Sequence, residues 1–191
     1  MTRWEGLFAD LEAQLDAVTA VDTAAEIDAR ARGEFAEVTL VDRLRAAVDQ
    51  PVRVVAAGGL VVTGVVERVG PDWLSVLDDS AREALIPVHA VRQVGGLTRW
   101  VQSEAGAGVV GSRLGWRSAL RAVARDRSTL RVHLAAGDVL DATLDRGGAD
   151  HVELAVHAPG ENRRARAVRG LVAVPFVAIA AIRRDAASAG G

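Results

Sequence analysis

The spacing of apolar residues changes along the chain. Trp4, Leu7, Phe8, Leu11, Leu15 and Val18 recur every three to four positions, which predicts an amphipathic helix over residues 2–18. Thr2 and Glu5 form a capping box at its start. Thr23 and Glu26 open a second helix with Ile27, Ala31, Phe35 and Val38, which Gly33 weakens. Thr39 and Asp42 open a third, short helix carrying Leu40, Leu44 and Val48. From Val52 the period falls to two, the period of a half-buried strand. Gly58-Gly59 predicts a tight turn, Leu60–Val69 a long strand bent at Gly64, and Gly70-Pro71-Asp72 a second turn. Trp73–Leu77 is the next strand, and Asp78, Asp79 and Glu83 fall in a solvated turn. Arg82–Ile86 and Val88–Val94 complete five strands, with Pro87 at the corner between the last two.

The second half of the chain repeats the first. LRAAV at 44–48 returns as LRAVA at 120–124, and PVRVVAAGGLVV at 51–62 returns as TLRVHLAAGDVL at 129–140. Arg53 falls on Arg131, Gly59 on Gly137, Asp72 on Asp150 and Pro87 on Pro175. Such an internal repeat means one supersecondary unit used twice. The expected fold is mainly β: an N-terminal helical segment over 1–38, a first small barrel over 39–97 and a Gly-containing linker over 98–111. A second barrel follows over 112–185, with a frayed tail over 186–191. A helix from Ser112 to about Arg125 leads into the second unit. The loop 158–167, APGENRRARA, is longer than its counterpart in the first unit. The apolar run from Leu171 to Ile182 is too short for a membrane span and is expected to form two buried strands.

A short helix, then five bent strands with a Gly turn after the first, resembles the Sm-like small β-barrel. The stretch VRVVAAGGLVVTGVVERVGPDWLSV is similar to the first Sm motif. Residues 112–182 match less well, since Ala142 stands where the mid-strand Gly is expected. SH3-like barrels share much of this pattern, so the resemblance speaks for fold more than function. The family binds single-stranded RNA through a polar pocket. Its base-contacting Asn would fall at Ser75 and Glu153, and its second-motif pair is replaced by Ile86-Pro87 and Val174-Pro175. The chain is thus similar to tandem Sm-like proteins of actinobacterial type, without the usual RNA-pocket residues. A tandem arrangement implies that the two barrels pair along strand edges.

Composition narrows the chemistry. The chain has no Cys, which excludes disulfides, thiolate catalysis and Cys-based zinc sites. Every basic residue is Arg, and the charge is uneven: residues 1–97 carry 9 Arg against 16 acids, residues 98–191 carry 14 against 9. Such halves attract one another within or between molecules, but the net charge of −2 is not that of a protein binding nucleic acid by charge alone. No signal peptide or membrane segment is evident, and a cytoplasmic location is expected.

Two basic clusters are candidate nucleic-acid contacts. Arg113, Arg117, Arg121 and Arg125 lie four apart, one stripe on a helix: either a phosphate-binding ridge or a solvated face. Arg163, Arg164, Arg166 and Arg169 crowd the longer loop without an interleaved aromatic, so contact there would be to phosphates. Trp4, Phe8 and Leu11 are the candidate protein interface, against the alternative of packing within the chain. Trp73 is expected half-buried at a barrel rim. His89, His133, His151 and His157 lack metal-ligand spacing, although His133 and His151 are expected on neighbouring strands. No nucleophile elbow or phosphate-cradling Gly loop is present. The expectation is a non-enzymatic scaffold, without cofactor or metal, that works through barrel surfaces and the N-terminal helix. Its partner is a protein or a second copy; RNA or DNA held by the two Arg clusters is the alternative.

Overall fold

The computed structural model describes residues 36–98, 114–157 and 168–184. Within these, a short helix α1 (Leu40–Arg45) precedes β1 (Pro51–Ala56), β2 (Val61–Val69), β3 (Trp73–Leu77), β4 (Glu83–Pro87) and β5 (Val91–Gly95). Helix α2 (Trp116–Asp126) then leads to β6 (Thr129–Leu134), β7 (Val139–Gly147), β8 (His151–His157), β9 (Val168–Pro175) and β10 (Ile179–Arg184). All ten strands belong to one antiparallel sheet, in the order β5-β1-β2-β3-β4-β10-β6-β7-β8-β9.

The repeat extends to the hydrogen-bond register. Val52 faces Gly64 in the first half, and Leu130 faces Ala142, each 78 positions on, in the second. The β2–β3 ladder is broken by a bulge between Val66 and Arg68; the β7–β8 ladder breaks between Leu144 and Arg146, the same place. The first and fifth strands of each half pair with matching bulges, at Val55/Ala56 and at Ile179/Ala181. A bulge bends a strand and increases its twist, so identical bulges give both halves the same curvature. Gly64 allows a close approach rather than a turn, since a Cβ there would overlap the Leu77 carbonyl.

Each half has its own core. Leu44, Val54, Val62, Val66, Leu74, Val76 and Ile86 fill the first; Leu120, Val132, Leu144, Val152, Leu154 and Ile179 fill the second. Alternation supplies them, as the exposed–buried pattern along Pro51–Ala56 shows. The helix preceding each sheet half drops one leucine, Leu44 or Leu120, entirely out of solvent.

Several sequence expectations need correction. Val88–Ala90 is a 3-10 turn, not the start of a strand, because the chain leaves the ladder after Pro87. Trp73 is not at a rim: it is 7% exposed and belongs to the core of the second half. Leu171–Ile182 is only partly buried, with Leu171 66% and Val177 75% exposed. His133 and His151 are not on neighbouring strands, since β7 lies between β6 and β8. The N-terminal helical segment lies almost wholly outside the described residues, as do Ser112 and the linker beyond Thr98.

Candidate interaction surface

The first and second halves meet where β4 pairs with β10, Leu85 opposite Ile182 and Ala84 opposite Arg183. An ion-pair network secures this junction. Arg183 Nη2 donates to Asp78 Oδ2 at 2.5 Å, and Arg82 Nε donates to the same oxygen at 3.1 Å. The other oxygen, Oδ1, accepts the backbone N–H of Ser80 at 2.9 Å and of Arg82 at 3.0 Å. The Asp78 side chain is only 10% exposed. Its burial alone raises the carboxyl pKa, but the two N–H donors and the charges of Arg82 and Arg183 outweigh that and hold it below the ordinary range. The turn expected to be solvated is therefore a cross-sheet anchor, a role its sequence does not announce because Arg183 is 105 positions away.

A second set of contacts crosses the same junction. Asp72 Oδ1 accepts the N–H of Trp116 at 2.7 Å, satisfying the first turn of α2 from the other half of the chain. Gly115 occupies the cap position itself and offers no side chain. Trp73 Nε1 donates to the Leu114 carbonyl at 2.6 Å while its ring enters the second core. Conversely, Ala181 of β10 belongs to the first core. Gly58, at φ +70°, sits so close to β6 that a Cβ would lie 2.6 Å from the Leu134 carbonyl oxygen.

The outer edges differ. Among the described residues, no strand pairs with the far side of β9 or β5. On β9, Leu171 is 66% and Val172 39% exposed. Their counterparts on β4 are Glu83, half-buried, and Ala84, fully buried in the first core. On β5, Arg92 and Gln93 are exposed where β10 has Ala180 and Ala181, both fully buried.

Of the candidate nucleic-acid residues, Arg117, Arg121 and Arg125 lie on α2 with exposed side chains. The Arg121 stem runs over Gly147 of β7, and among the described residues none of the three has an acidic partner. Arg169 is on β9; Arg113, Arg163, Arg164 and Arg166 lie outside the described residues, as do Trp4, Phe8 and Leu11. The positions corresponding to an Sm RNA pocket offer little: Ser75 and Ile86 are fully buried, Val174 is buried, and Glu153 pairs with Arg146 at 3.5 Å.

Of the histidines, His89 is exposed. His157 is buried and shares a 2.8 Å hydrogen bond with buried Thr143. His133, half-buried, is held neutral to lower pH by burial and by the charges of Arg183 and Arg131, with Asp141 opposing. His151 Nδ1 bonds Asp150 at 2.9 Å, which lowers the Asp150 pKa. Among the described residues no group of three metal-ligating side chains occurs, and no helix is long and apolar enough to cross a membrane. No family model matches the chain, and no curated protein or solved structure matches it either.

Proposed function

We propose that this is a non-enzymatic interaction protein, two Sm-like small barrels fused through one sheet, acting by its exposed strand edges and N-terminal amphipathic helix. The observation that carries this reading is the β9 edge, where Leu171 and Val172 are exposed at positions that are shielded on β4. An unpaired edge with apolar side chains is a template for adding a strand. Natural edges that are not used carry charge or Pro along their length; β9 carries Arg169 near its start and Pro175 at its end, but Leu171–Val174 between them is apolar. The test is Leu171→Glu with Val172→Lys, checked for retained melting temperature, then compared with wild type in chemical cross-linking and pull-down. Loss of bound protein or of self-association supports the reading. A folded double variant that keeps every contact overturns the role of the edge. Trp4→Ser, Phe8→Ser and Leu11→Ser examine the helix in the same assay.

The exposed stripe Arg117, Arg121 and Arg125 favours a second reading, in which the α2 face holds the phosphates of RNA or DNA. Oligonucleotide binding would then fall steeply with salt and disappear on charge reversal of the three arginines. Binding unchanged by that reversal removes this reading.

A further inference from the structure

We infer that Asp150, His151, Leu171 and Ala173 form a seat for a helix, and that its occupant is the amphipathic segment 2–18 of a second copy of this chain. This deepens the interaction reading above and rests on it. The first half shows the same seat filled. Asp72 accepts the first-turn N–H of α2 at Trp116, and Trp73 Nε1 donates to the Leu114 carbonyl just before it. Leu85 packs on the core that holds Trp116, Leu120 and Val123, and Glu83 lines one small cavity with Val123. A carboxylate at the helix start and side chains of β3 and β4 beneath it thus hold a helix that belongs to the other half.

The strand register carries this seat into the second half. Trp73 faces Pro87, Ser75 faces Leu85 and Leu77 faces Glu83; His151 faces Pro175, Glu153 faces Ala173 and Ala155 faces Leu171. The counterparts are uncovered. The Asp150 and His151 side chains are 89% and 40% exposed, Leu171 is 66% exposed, and Ala173 is exposed. Asp150 bonds His151 where Asp72 bonds a helix. A carboxylate beside two apolar side chains, placed as in the filled seat, suits the start of an amphipathic helix.

The chain carries a segment that matches the seat. Helix α2 buries Trp116, Leu120 and Val123, spaced by four and then three. Trp4, Phe8 and Leu11 repeat that spacing, again led by Trp. His151 is smaller than the Trp73 it replaces, so the arriving helix brings the large ring. The Thr2–Glu5 capping box serves two of the four unpaired N–H groups of its first turn and leaves the others for Asp150. Charge agrees as well. Segment 2–18 has one Arg and four acidic residues. The seat is bordered by the α2 arginines, since the Arg121 stem runs over Gly147, three positions before Asp150. An acidic helix is drawn to that border. The contact needs no strand pairing and leaves the β9 backbone free.

Two complementary variants of the full chain test this in sedimentation. The helix variant is Trp4→Ser with Phe8→Ser; the seat variant is Asp150→Arg with Ala173→Arg, both at exposed positions and checked for retained melting temperature. Wild type should self-associate and each variant alone should be monomeric. An equal mixture should restore a one-to-one complex, because the intact helix of one meets the intact seat of the other. Asp150→Arg by itself should weaken wild-type self-association about tenfold. Asp150 precedes β8 and lies off the β9 edge, so pairing along that edge predicts no change there. A mixture that stays monomeric while wild type associates overturns the inference, as does a wild type that is monomeric at all concentrations. The interaction reading is decided separately, by whether Leu171→Glu with Val172→Lys loses its bound protein.

Discussion

The inner junction and the outer edges are built from corresponding strands, yet only one of them is finished. At the β4–β10 contact Leu85 faces Ile182 and Ala84 faces Arg183, and Ala84, Ala180 and Ala181 are fully buried. Around that seam lie an ion-pair network centred on Asp78, an Asp72 cap for α2 and a Trp73 ring inserted into the opposite core. At the outer edges the counterparts are Val172, Arg92 and Gln93 on the strands, with Val156, Asp150 and His151 in the surrounding positions. Asp150 there bonds its neighbour His151 instead of a helix. A strand edge alone is a weak and permissive contact; what makes the inner one permanent is side chains that reach across it. The same fold element therefore serves as internal glue at one site and as an accessible surface at the other.

The sharpest way to break this comparison is to ask whether the inner junction makes the two halves one cooperative body. Leu44 and Leu120 are corresponding residues, both fully buried, one in each core. Leu44→Ala and Leu120→Ala should each destabilise by about 3–4 kcal/mol, the transfer cost plus the cavity left behind. Because Trp73 and Ala181 each lie in the other half's core, both variants should lower a single shared unfolding transition. Calorimetry checks this. Two transitions, with each substitution moving only its own, would mean that the halves fold separately and that the junction is no stronger than the edges.

The network at Asp78 sets the next largest effect. Asp78→Ala leaves Arg183 at a 19%-exposed position without its closest carboxylate and frees the Ser80 and Arg82 N–H groups. The expected loss is about 2–3 kcal/mol in denaturant unfolding. A double-mutant cycle should find stronger coupling between Asp78 and Arg183 than between Asp78 and Arg82, whose side chain is 39% exposed. The sign with pH follows from the lowered Asp78 pKa. Its contribution is complete above the ordinary carboxylate range and is lost as pH falls through the lowered folded value, so wild type and variant should converge in acid.

What the sequence made legible divides along the same line as the molecule. Turns and alternation placed the five strands of the first half to within a few residues, because both are local: Gly58-Gly59 and Pro87 announce their corners directly. The register and the matching bulges became visible only in the structure. The junction was expected only as edge pairing. Asp78, Asp72 and Trp73 look like ordinary turn residues, and their partners Arg183, Trp116 and Leu114 lie 105, 44 and 41 positions away. A one-dimensional pattern carries no signal over such separations. The exposed β9 edge was missed for a related reason: Leu171 and Val172 have the composition of core residues, and only the strand order shows that nothing described lies beside them.

The finest test lies at His133, on β6 facing the junction strand, opposite Ala181. The groups around it are Arg183 on β10, Arg131 on its own strand and Asp141 on β7. Its pKa is lowered in the folded protein, chiefly by burial and then by the two guanidinium groups. The unfolded chain therefore takes up a proton near pH 6.5 while the folded one resists it, and stability falls as pH drops below that point until the folded value is passed. His133→Gln should flatten this part of the curve of melting temperature against pH. In Arg183→Ala the slope should shrink but persist, because burial is the larger cause. If Arg183→Ala abolished the slope entirely, the charge across the seam would outweigh burial, and the inner junction would be an electrostatic contact first and a packed one second.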